Sequence, residues 1–483
     1  MIQIAQVLAI PAAGAYYIED LTALQERPTP LPDRYTADPV TPGFRTVRQV
    51  AEGVSVGLVL EDSSGRRQVA WGDCVAVAYS GKAGREPVFS SQRGISTIRE
   101  VVEPFLVGRP VTSFRELASA VDALIESVTV VRPVPQLEPV PRQGSDSLSR
   151  RDFLAAPVRF FRSVRDEIES EDAPETAPRT VQVIEERPIH TAVRYGVSQA
   201  LLGAAALARE TTLCEVIAEE WGLPTPDCPI PIHAQSGGER YHGADKMIAR
   251  RVASLPHALV DDIPEQLGKD GSVLVGYTRW LSGRIQQLAG EDYRPTIHLD
   301  VHGALGQIFD NQAGKILGHL YALEQAARPF PLRVECPVDM GSRAEQIEMM
   351  AKLRDYVRFR KMTVQLVADE WANTLDDIRA FVDAGAADMI QIKMPDLGSI
   401  HNSVDAVLLC RDAEVGAFLG GSCAETDLSA RISVHVGLAA RPDILMAKPG
   451  MGVDEAVSLV QNEMARTLAQ IDVSQPRRSE GQD

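Results

Sequence analysis

Two hydrophobic periodicities divide this chain of 483 residues. In the first 130 residues, apolar β-rich runs at 54–60 and 69–78 predict strands. Residues 113–128 have helical spacing and begin with Ser113, followed three positions later by a glutamate, which is a helix-capping signal. The pattern therefore predicts an α+β domain over residues 1–130.

From residue 185 onward, helical spacing alternates with short β-rich runs, beginning with a predicted helix at 195–210. Eight runs have strand character: 230–234, 258–260, 296–301, 332–335, 363–368, 389–393, 417–419 and 444–447. Most are separated by stretches long enough for a helix, such as 342–358, 374–384 and 402–412. Eight strands with intervening helices favour a TIM-type (β/α)₈ barrel over an open sheet, here across residues 185–473.

Two segments lack either pattern. Residues 131–184 are rich in proline and carry polar and acidic runs, which is typical of a linker or surface insertion without chemistry of its own. The stretch 153–162 inside it is compatible with a short docked helix. Residues 474–483 are predicted to form a mobile tail.

Composition narrows the class of protein. A net charge of −17 argues against nucleic acid as a partner. No apolar run approaches the ~20 residues of a spanning helix, so we expect no membrane partner. The six cysteines are scattered without a C-x-x-C pair, which argues against disulfides and a cysteine-type zinc site and favours a cytoplasmic location. The sequence contains neither G-x-G-x-x-G nor a Walker A loop.

The candidate chemistry lies at the ends of the predicted strands. Asp300, Glu335 and Asp369 each end one of three successive β-rich runs, and Lys393 ends the next. Strand C-termini converge on one face of a parallel barrel, where the acids would repel one another unless a hard cation such as Mg²⁺ neutralised them. The field of that cation should lower the pKa of the lysine and make a neutral amine available as a base. The alternative is that each acid merely caps the following helix.

A carboxylate-bound Mg²⁺ facing a lysine suits removal of an α-proton. The metal can hold both oxygens of a substrate carboxylate, so that proton removal gives a stabilised enediolate. The group that leaves the neighbouring carbon then decides the reaction: water, ammonia, or nothing in a racemisation.

Several longer sequence motifs in this chain resemble those of a known protein family. They lie at 71–81, 233–237, 245–247, 255–257, 367–371, 391–398, 420–423 and 448–452. In these segments the chain resembles the methylaspartate ammonia-lyase family of the enolase superfamily. The resemblance implies an enolase-like fold, with an N-terminal capping domain on the barrel, a homodimer, Mg²⁺ and a monovalent cation such as K⁺.

The resemblance also implies roles for individual residues. Asp300, Glu335 and Asp369 would hold Mg²⁺, and Lys393 would remove the C3 proton of an aspartate-type amino acid. His257 would serve the opposite face, as the second acid/base or as a contact to the carboxylate and amine. The products would be ammonia or an amine and mesaconate or a fumarate-type diacid.

The implied substrate contacts come from four further residues. Gln235 and Gln391 would hydrogen-bond the substrate, and Ser422 with the backbone N–H of Cys423 would hold its other carboxylate. The sharper alternative, Cys423 as a nucleophile, has no neighbouring base in sequence.

The chain departs from the family pattern in the pocket. Ala78 stands where glutamine is usual, Ser422 where threonine is usual, Met446 where leucine is usual, and His302 where tyrosine is common. These changes predict a substrate with a larger amine or C3 substituent than 3-methylaspartate. Two other functions stay open: dehydration or racemisation of an acid with the same residues, and a non-catalytic binding protein on the same fold.

Overall fold

The computed structural model describes residues 2–26, 33–133, 180–237, 239–448 and 450–474. Two compact units are present. One contains the chain up to Leu124 together with the chain from Pro188 onward, and the other is Ile125–Arg187. The predicted tail at 474–483 lies outside the described residues except for its first residue, which ends the last helix.

The N-terminal region of the first unit is built on an antiparallel three-stranded sheet. Its strands are β1 (Gln3–Glu19), β2 (Arg48–Glu61) and β3 (Arg67–Val75), in that order. The helices are α1 (Leu21–Glu26), α2 (Ser91–Thr97), α3 (Glu103–Leu106) and α4 (Phe114–Asp122), with a π-helical turn at Ile98–Val102. The sheet confirms the two strands predicted in this region.

The helix predicted at 113–128 begins where expected but ends early. The Ser113 side chain accepts a hydrogen bond from the Glu116 backbone N–H, as the capping signal predicts. The helix stops at Asp122, and β4 (Ile125–Pro133) follows. The β-branched run at 128–131 favours a strand, which is why the second half of the prediction is wrong.

The second unit contains a two-stranded sheet of β4 and β5 (Thr180–Pro188). Arg187 Nη2 lies 2.9 Å from Glu126 Oε1 across it. The two ends of the predicted linker are therefore strands, whereas residues 134–179, including the stretch at 153–162, lie outside the described residues.

The helix α5 (Thr191–Arg209) packs directly on β3. A Cβ on Gly72 would lie 2.1 Å from the Gly196 carbonyl oxygen, and a Cβ on Gly196 would lie 2.4 Å from Cys74 Sγ. Only glycine at both positions allows the two backbones to come so close.

The rest of the first unit is a closed barrel of eight strands, each parallel to its neighbours. The strands are β6 (Ile232–His233), β7 (Ser254–His257), β8 (Thr296–Asp300), β9 (Leu332–Glu335), β10 (Gln365–Ala368), β11 (Met389–Lys393), β12 (Gly416–Gly420) and β13 (Ile444–Met446). The predicted α/β fold with a (β/α)₈ barrel is confirmed.

Helices surround the barrel strands. They are α6 (Leu213–Trp221), α7 (Arg240–Ala249), α8 (Ser272–Ala289), α9 (Ala304–Ile308), α10 (Ala313–Ala327), α11 (Arg343–Phe359), α12 (Leu375–Asp383), α13 (Ile400–Asp412), α14 (Asp427–Ala440) and α15 (Val453–Ser474), with a π-helical turn at Ile263–Leu267. Within the described part of the chain, none of these helices has the length and apolarity needed to cross a bilayer.

One predicted strand is misplaced. The run at 258–260 is not a strand; β7 precedes it at Ser254–His257. His257 and Ala258 have φ values of 66° and 50°, so the chain leaves the extended conformation at this point. Pro256 within the strand masks the β signal in the sequence.

Candidate active site

Three carboxylates and a lysine lie at one end of the barrel. Asp300 and Glu335 are paired in register at the ends of β8 and β9, and Asp369 directly follows β10. Lys393 ends β11, the next strand around the barrel. The three acids are at most 4% exposed. The fold therefore brings together all four residues that the strand-end pattern predicted.

Asp369 is held between two cations. Its Oδ2 accepts a hydrogen bond of 2.8 Å from Lys393 Nζ, and its Oδ1 lies 3.4 Å from Arg85 Nη2. Arg85 comes from the loop after β3 and also donates from Nε to Asp396 Oδ2 at 2.8 Å. Burial raises the pKa of Asp369, as does the neighbouring Glu370, to about 6 despite both cations.

Glu335 lies deepest among the acids. His298 Nε2 is 2.6 Å from its Oε2, and the Gln391 amide donates to its Oε1 at 2.6 Å. Burial raises its pKa well above the usual value, and the charges of Asp300 and Asp369 raise it further. Carboxylates packed at this density are costly unless a cation shares their charge.

His257 lies across the barrel from Lys393. Its strand, β7, is four positions from β11 in either direction around the eight-stranded barrel. His257 Nε2 is 3.3 Å from Asp300 Oδ2, and its Nδ1 is 3.3 Å from His233 Nε2. The His233 ring is fixed in turn by Ser254 Oγ at 2.9 Å. The histidine thus faces the acid cluster with a defined ring orientation.

The pKa of Lys393 does not have the predicted direction. Burial and the Arg85 guanidinium lower it, but the carboxylates of Asp369, Glu370 and Asp396 raise it more, so the pKa of Lys393 is above its usual value. The prediction assumed the field of a bound dication. When only protein groups are present, the negative charges of the acids dominate the electrostatic field at this amine and favour its protonated form.

The site chemistry fits a divalent cation. Three buried carboxylates, two of them with a raised pKa, form an oxygen-rich set of the kind that Mg²⁺ prefers. A second candidate set of metal ligands is present among the described residues. His257, His298 and Glu335 each offer one ligand atom, and these three atoms lie within 4.8 Å of one another. We favour the carboxylates, because Mg²⁺ prefers oxygen ligands and His298 Nε2 already lies 2.6 Å from Glu335 Oε2.

Two further residues of the acid cluster were not predicted. Glu370, 3% exposed, has its Oε1 3.1 Å from His302 Nδ1 and 3.8 Å from Arg85 Nη1. Glu370 was detectable as the second acid of an Asp-Glu pair at a strand end, whereas nothing in the sequence joins Arg85 to residues almost 300 positions away.

A small chamber of about 50 Å³ lies above these groups. Its wall contains Asp300, Asp369, Lys393 and His257, together with the predicted substrate contacts Gln235, Gln391, Ser422, Cys423, Ala78 and Met446. Ser422 Oγ donates to the Ala76 carbonyl oxygen at 3.0 Å, so the N-terminal region orients this hydroxyl. The structure therefore gathers every predicted substrate contact around one space.

Comparison with known proteins points to a single family. The chain matches the family models "Methylaspartate ammonia-lyase N-terminus" over residues 2–133 and 150–222 and "Methylaspartate ammonia-lyase C-terminus" over residues 224–473. It is 41% identical to methylaspartate ammonia-lyase 2 of Carboxydothermus hydrogenoformans and 41% identical to the Citrobacter amalonaticus enzyme, over 97% of this chain and 98% of each relative.

Solved structures agree. The Citrobacter amalonaticus enzyme containing (2S,3S)-3-methylaspartic acid superposes with a TM-score of 0.81 at 39% identity, covering 97% of this chain and all of the other. The Mg complex of β-methylaspartase from Clostridium tetanomorphum gives 0.77 at 35% identity, over 98% of this chain and all of the other. Muconate cycloisomerase from Pseudomonas fluorescens, 13% identical over 92% of this chain and 86% of its own, shares the enolase-type fold with a TM-score of 0.54. The chain belongs to the methylaspartate ammonia-lyase family.

Proposed function

We propose that this protein is a Mg²⁺-dependent carbon–nitrogen lyase acting on 3-methylaspartate or a related substituted aspartate. It releases ammonia or an amine and gives mesaconate or a fumarate-type diacid. The observation that carries the proposal is the Lys393 amine, 2.8 Å from Asp369 at the barrel end where three carboxylates meet, with His257 on the opposite strand. Family membership over nearly the whole chain supports elimination of an amine over dehydration or racemisation.

The metal ligands in this proposal are Asp300, Glu335 and Asp369. A dication bound there would neutralise the acids, hold a substrate carboxylate and make the adjacent C3 proton more acidic. The remaining chemistry belongs to the chain's own side chains.

Lys393, neutral once a dication offsets the acids beside it, takes the C3 proton. The C3 electron pair then forms the C2–C3 double bond, and the C–N electron pair leaves with the amine. His257, on the opposite strand of the barrel, is the proposed group that donates a proton to the leaving nitrogen or holds the amine and carboxylate. Gln235 and Gln391 orient the substrate by hydrogen bonds.

The second carboxylate of the substrate is assigned to the loop after β12. The Cys423 backbone N–H is one proposed donor, and the Ser422 hydroxyl becomes a second when its hydrogen turns from the Ala76 carbonyl oxygen to the substrate; both residues line the small chamber. Ala78 and Met446 line it as well. A methyl group and a flexible thioether leave room for an amine or C3 substituent larger than those of 3-methylaspartate.

The assembly in this proposal is a homodimer in the cytoplasm, with a monovalent cation such as K⁺ as a further cofactor. The homodimer and the monovalent cation are supported by the resemblance to the family, and the cytoplasmic location by the scattered cysteines. Size-exclusion chromatography with light scattering measures the oligomeric state directly.

The test follows mesaconate and ammonia release from 3-methylaspartate, with Mg²⁺ and with EDTA. We expect Lys393→Ala to lose turnover by at least about a hundredfold, as for loss of a general base, and to keep Mg²⁺ binding in calorimetry. Asp300→Asn should weaken both. Full activity in Lys393→Ala, or water loss without ammonia, would contradict the proposal.

Substrate range is tested by comparing kcat/KM for 3-methylaspartate and its N-alkylated analogues. We expect the N-alkylated compounds to be accepted at least as well. A clear preference for 3-methylaspartate would contradict the enlarged pocket while leaving the lyase activity in place.

A further inference from the structure

A second, much larger cavity adjoins the small chamber. Its volume is about 560 Å³, compared with about 50 Å³ for the chamber itself. The two spaces share a wall formed by Ala78, Tyr79, Gln235, Leu259 and Cys423. We call the larger space the outer cavity. Of these five residues Ala78 has the smallest side chain, so it marks the point at which a group attached to the substrate would reach from one space into the other.

The far wall of the outer cavity is charged. Glu19 Oε1 lies 2.5 Å from Arg48 Nε and 3.3 Å from Arg34 Nη1. Arg34 Nη1 also lies 3.4 Å from Asp261 Oδ2, which belongs to the barrel. Both guanidiniums are largely enclosed, with side-chain exposures of 22% for Arg34 and 18% for Arg48. Partial burial strengthens the attraction of such groups for a ligand charge.

The acids of this wall are already matched by donors. Glu19 accepts from two guanidiniums, and Asp261 accepts from Arg34 and, at 2.8 Å, from the Gln266 amide. Among the described residues, the side-chain hydrogen bonds of Arg34 both use Nη1. The other edge of its guanidinium carries Nε and Nη2. This edge has the geometry to bind a carboxylate through two hydrogen bonds. The donors that this wall can still offer to a ligand therefore belong to a guanidinium, and they suit an anion.

We infer that the outer cavity binds the carboxylate of the leaving amine. The substrate class is an aspartate whose nitrogen carries a short chain ending in a carboxylate, as when the amine is an ω-amino acid. This inference rests on the proposed function and adds the identity of the amine. The reaction stays balanced: Lys393 takes the C3 proton, the C–N bond breaks, and the nitrogen leaves with the electron pair as a free amino acid.

The experiment runs the reaction in the addition direction, with mesaconate or fumarate as acceptor. The amines are ammonia, β-alanine, 4-aminobutyrate, the chain-matched propylamine and butylamine, and 1,3-diaminopropane. Products are identified by mass spectrometry and kcat/KM is measured for each amine. We expect each carboxylate-bearing amine to exceed its alkyl match by about tenfold or more, as for a charged hydrogen bond in a partly buried site.

Three variants test whether Arg34 is responsible for the preference for carboxylate-bearing amines. Arg34→Gln should reduce the ratio between β-alanine and propylamine by about tenfold, because it removes the charge and the paired donors. Arg34→Lys keeps the charge and should restore part of that ratio. Arg45→Gln, a change at a guanidinium with 70% side-chain exposure and outside the cavity wall, is the control and should leave the ratio unchanged.

The outcomes separate the two proposals. If ammonia adds but β-alanine has no advantage over propylamine, or if the diamine is preferred, the inference about the outer cavity is wrong and the lyase function stands. If no amine adds to either acceptor, both are wrong. An advantage for β-alanine that survives in Arg34→Gln would also overturn the assignment of Arg34.

Discussion

At the scale of single residues, Cys423 shows how environment decides chemistry. It lines the small chamber and could be mistaken for a nucleophile. Burial raises the pKa of its thiol to about 12, although the nearby Lys393 charge acts in the opposite direction. Almost no thiolate exists at neutral pH under these conditions, which leaves the backbone N–H as the useful group of this residue.

This predicts slow alkylation of Cys423. With iodoacetamide at pH 8, Cys228, whose side chain is exposed, should be modified first, and Cys423 should lag by at least about tenfold because burial keeps its thiol protonated. Peptide mass spectrometry over time measures both sites in one sample. Equal rates at Cys228 and Cys423 would contradict the raised pKa.

The residue scale also shows which site groups a sequence reveals. Asp300, Glu335 and Asp369 were predictable because each lies at the end of a strand that the sequence pattern predicts. The cations that hold Asp369 were predictable only in part. Lys393 ends a neighbouring strand, whereas Arg85 reaches the acid through the folding of a distant loop. The pKa direction at Lys393 depends on the sum of all these charges, which no local motif contains.

At the scale of elements, strand bounds were predicted best where a short β-rich run contains no proline. The predicted runs at 332–335 and 389–393 coincide with β9 and β11. Prediction failed where a local signal opposed the tertiary structure, as at Pro256 in β7 and after α4. At Pro256 the backbone follows packing, whereas after α4 it follows the β propensity of the run at 128–131, which the helix prediction overlooked.

The contact between α14 and α15 carries a pH-dependent part of the stability. Glu463 lies 2.7 Å from Arg431 and 2.8 Å from Arg466, with His435 at 3.5 Å. The hydrogen bond from His435, together with those from the two arginines, lowers the pKa of Glu463 from 4.5 to about 2. Because the pKa of Glu463 is lower in the folded chain than in the unfolded chain, its ionised carboxylate stabilises the fold at pH values above about 4.5. This stabilisation is lost as pH falls from about 4.5 toward 2.

We therefore predict that Glu463→Gln lowers the free energy of unfolding at pH 7 by about 1 kcal/mol, since solvent screens this partly exposed group. The difference from wild type should shrink below pH 4.5. Urea unfolding at pH 7 and pH 3.5 measures it. The exposed Asp472 on the same helix supplies the control variant Asp472→Asn. A difference that is equal at both pH values would contradict the linkage.

At the scale of the whole molecule, Arg85 joins the N-terminal region to the barrel. Its side chain is 1% exposed and contacts Asp396, Asp369 and Glu370. The same loop is held by Asn373, which donates to the Ala83 carbonyl oxygen at 2.7 Å. Removal of the guanidinium would take away the cation that Asp396 pairs with and one of the two positively charged groups beside Asp369 and beside Glu370.

We predict that Arg85→Ala lowers the free energy of unfolding by about 3–5 kcal/mol, as for a broken buried ion pair. Arg85→Lys should lose less, because the charge is kept. Urea unfolding in EDTA measures both, with the exposed Arg93→Ala as the control. A loss under about 1 kcal/mol in Arg85→Ala, close to that of an exposed pair, would show that the buried cluster is not coupled to the fold.

The barrel was predictable as a whole because its strand and helix periods alternate regularly along the chain. The division into domains was less so. The proposed boundaries at 130 and 185 stay predictions, since the N-terminal sheet and the barrel form one compact unit. One hydrophobic core contains residues of both, such as Val54 and Leu299, and long-range pairs such as Arg85 with Asp396 add to it.

The position of Arg85 limits the modularity of this enzyme. A barrel produced from Pro188 onward would keep its Asp369 and Asp396 but lose the guanidinium that both acids contact. Such a fragment would carry uncompensated negative charge in its interior. Chimaeras that exchange N-terminal regions between relatives should therefore succeed only where the donor region brings an arginine to the same place.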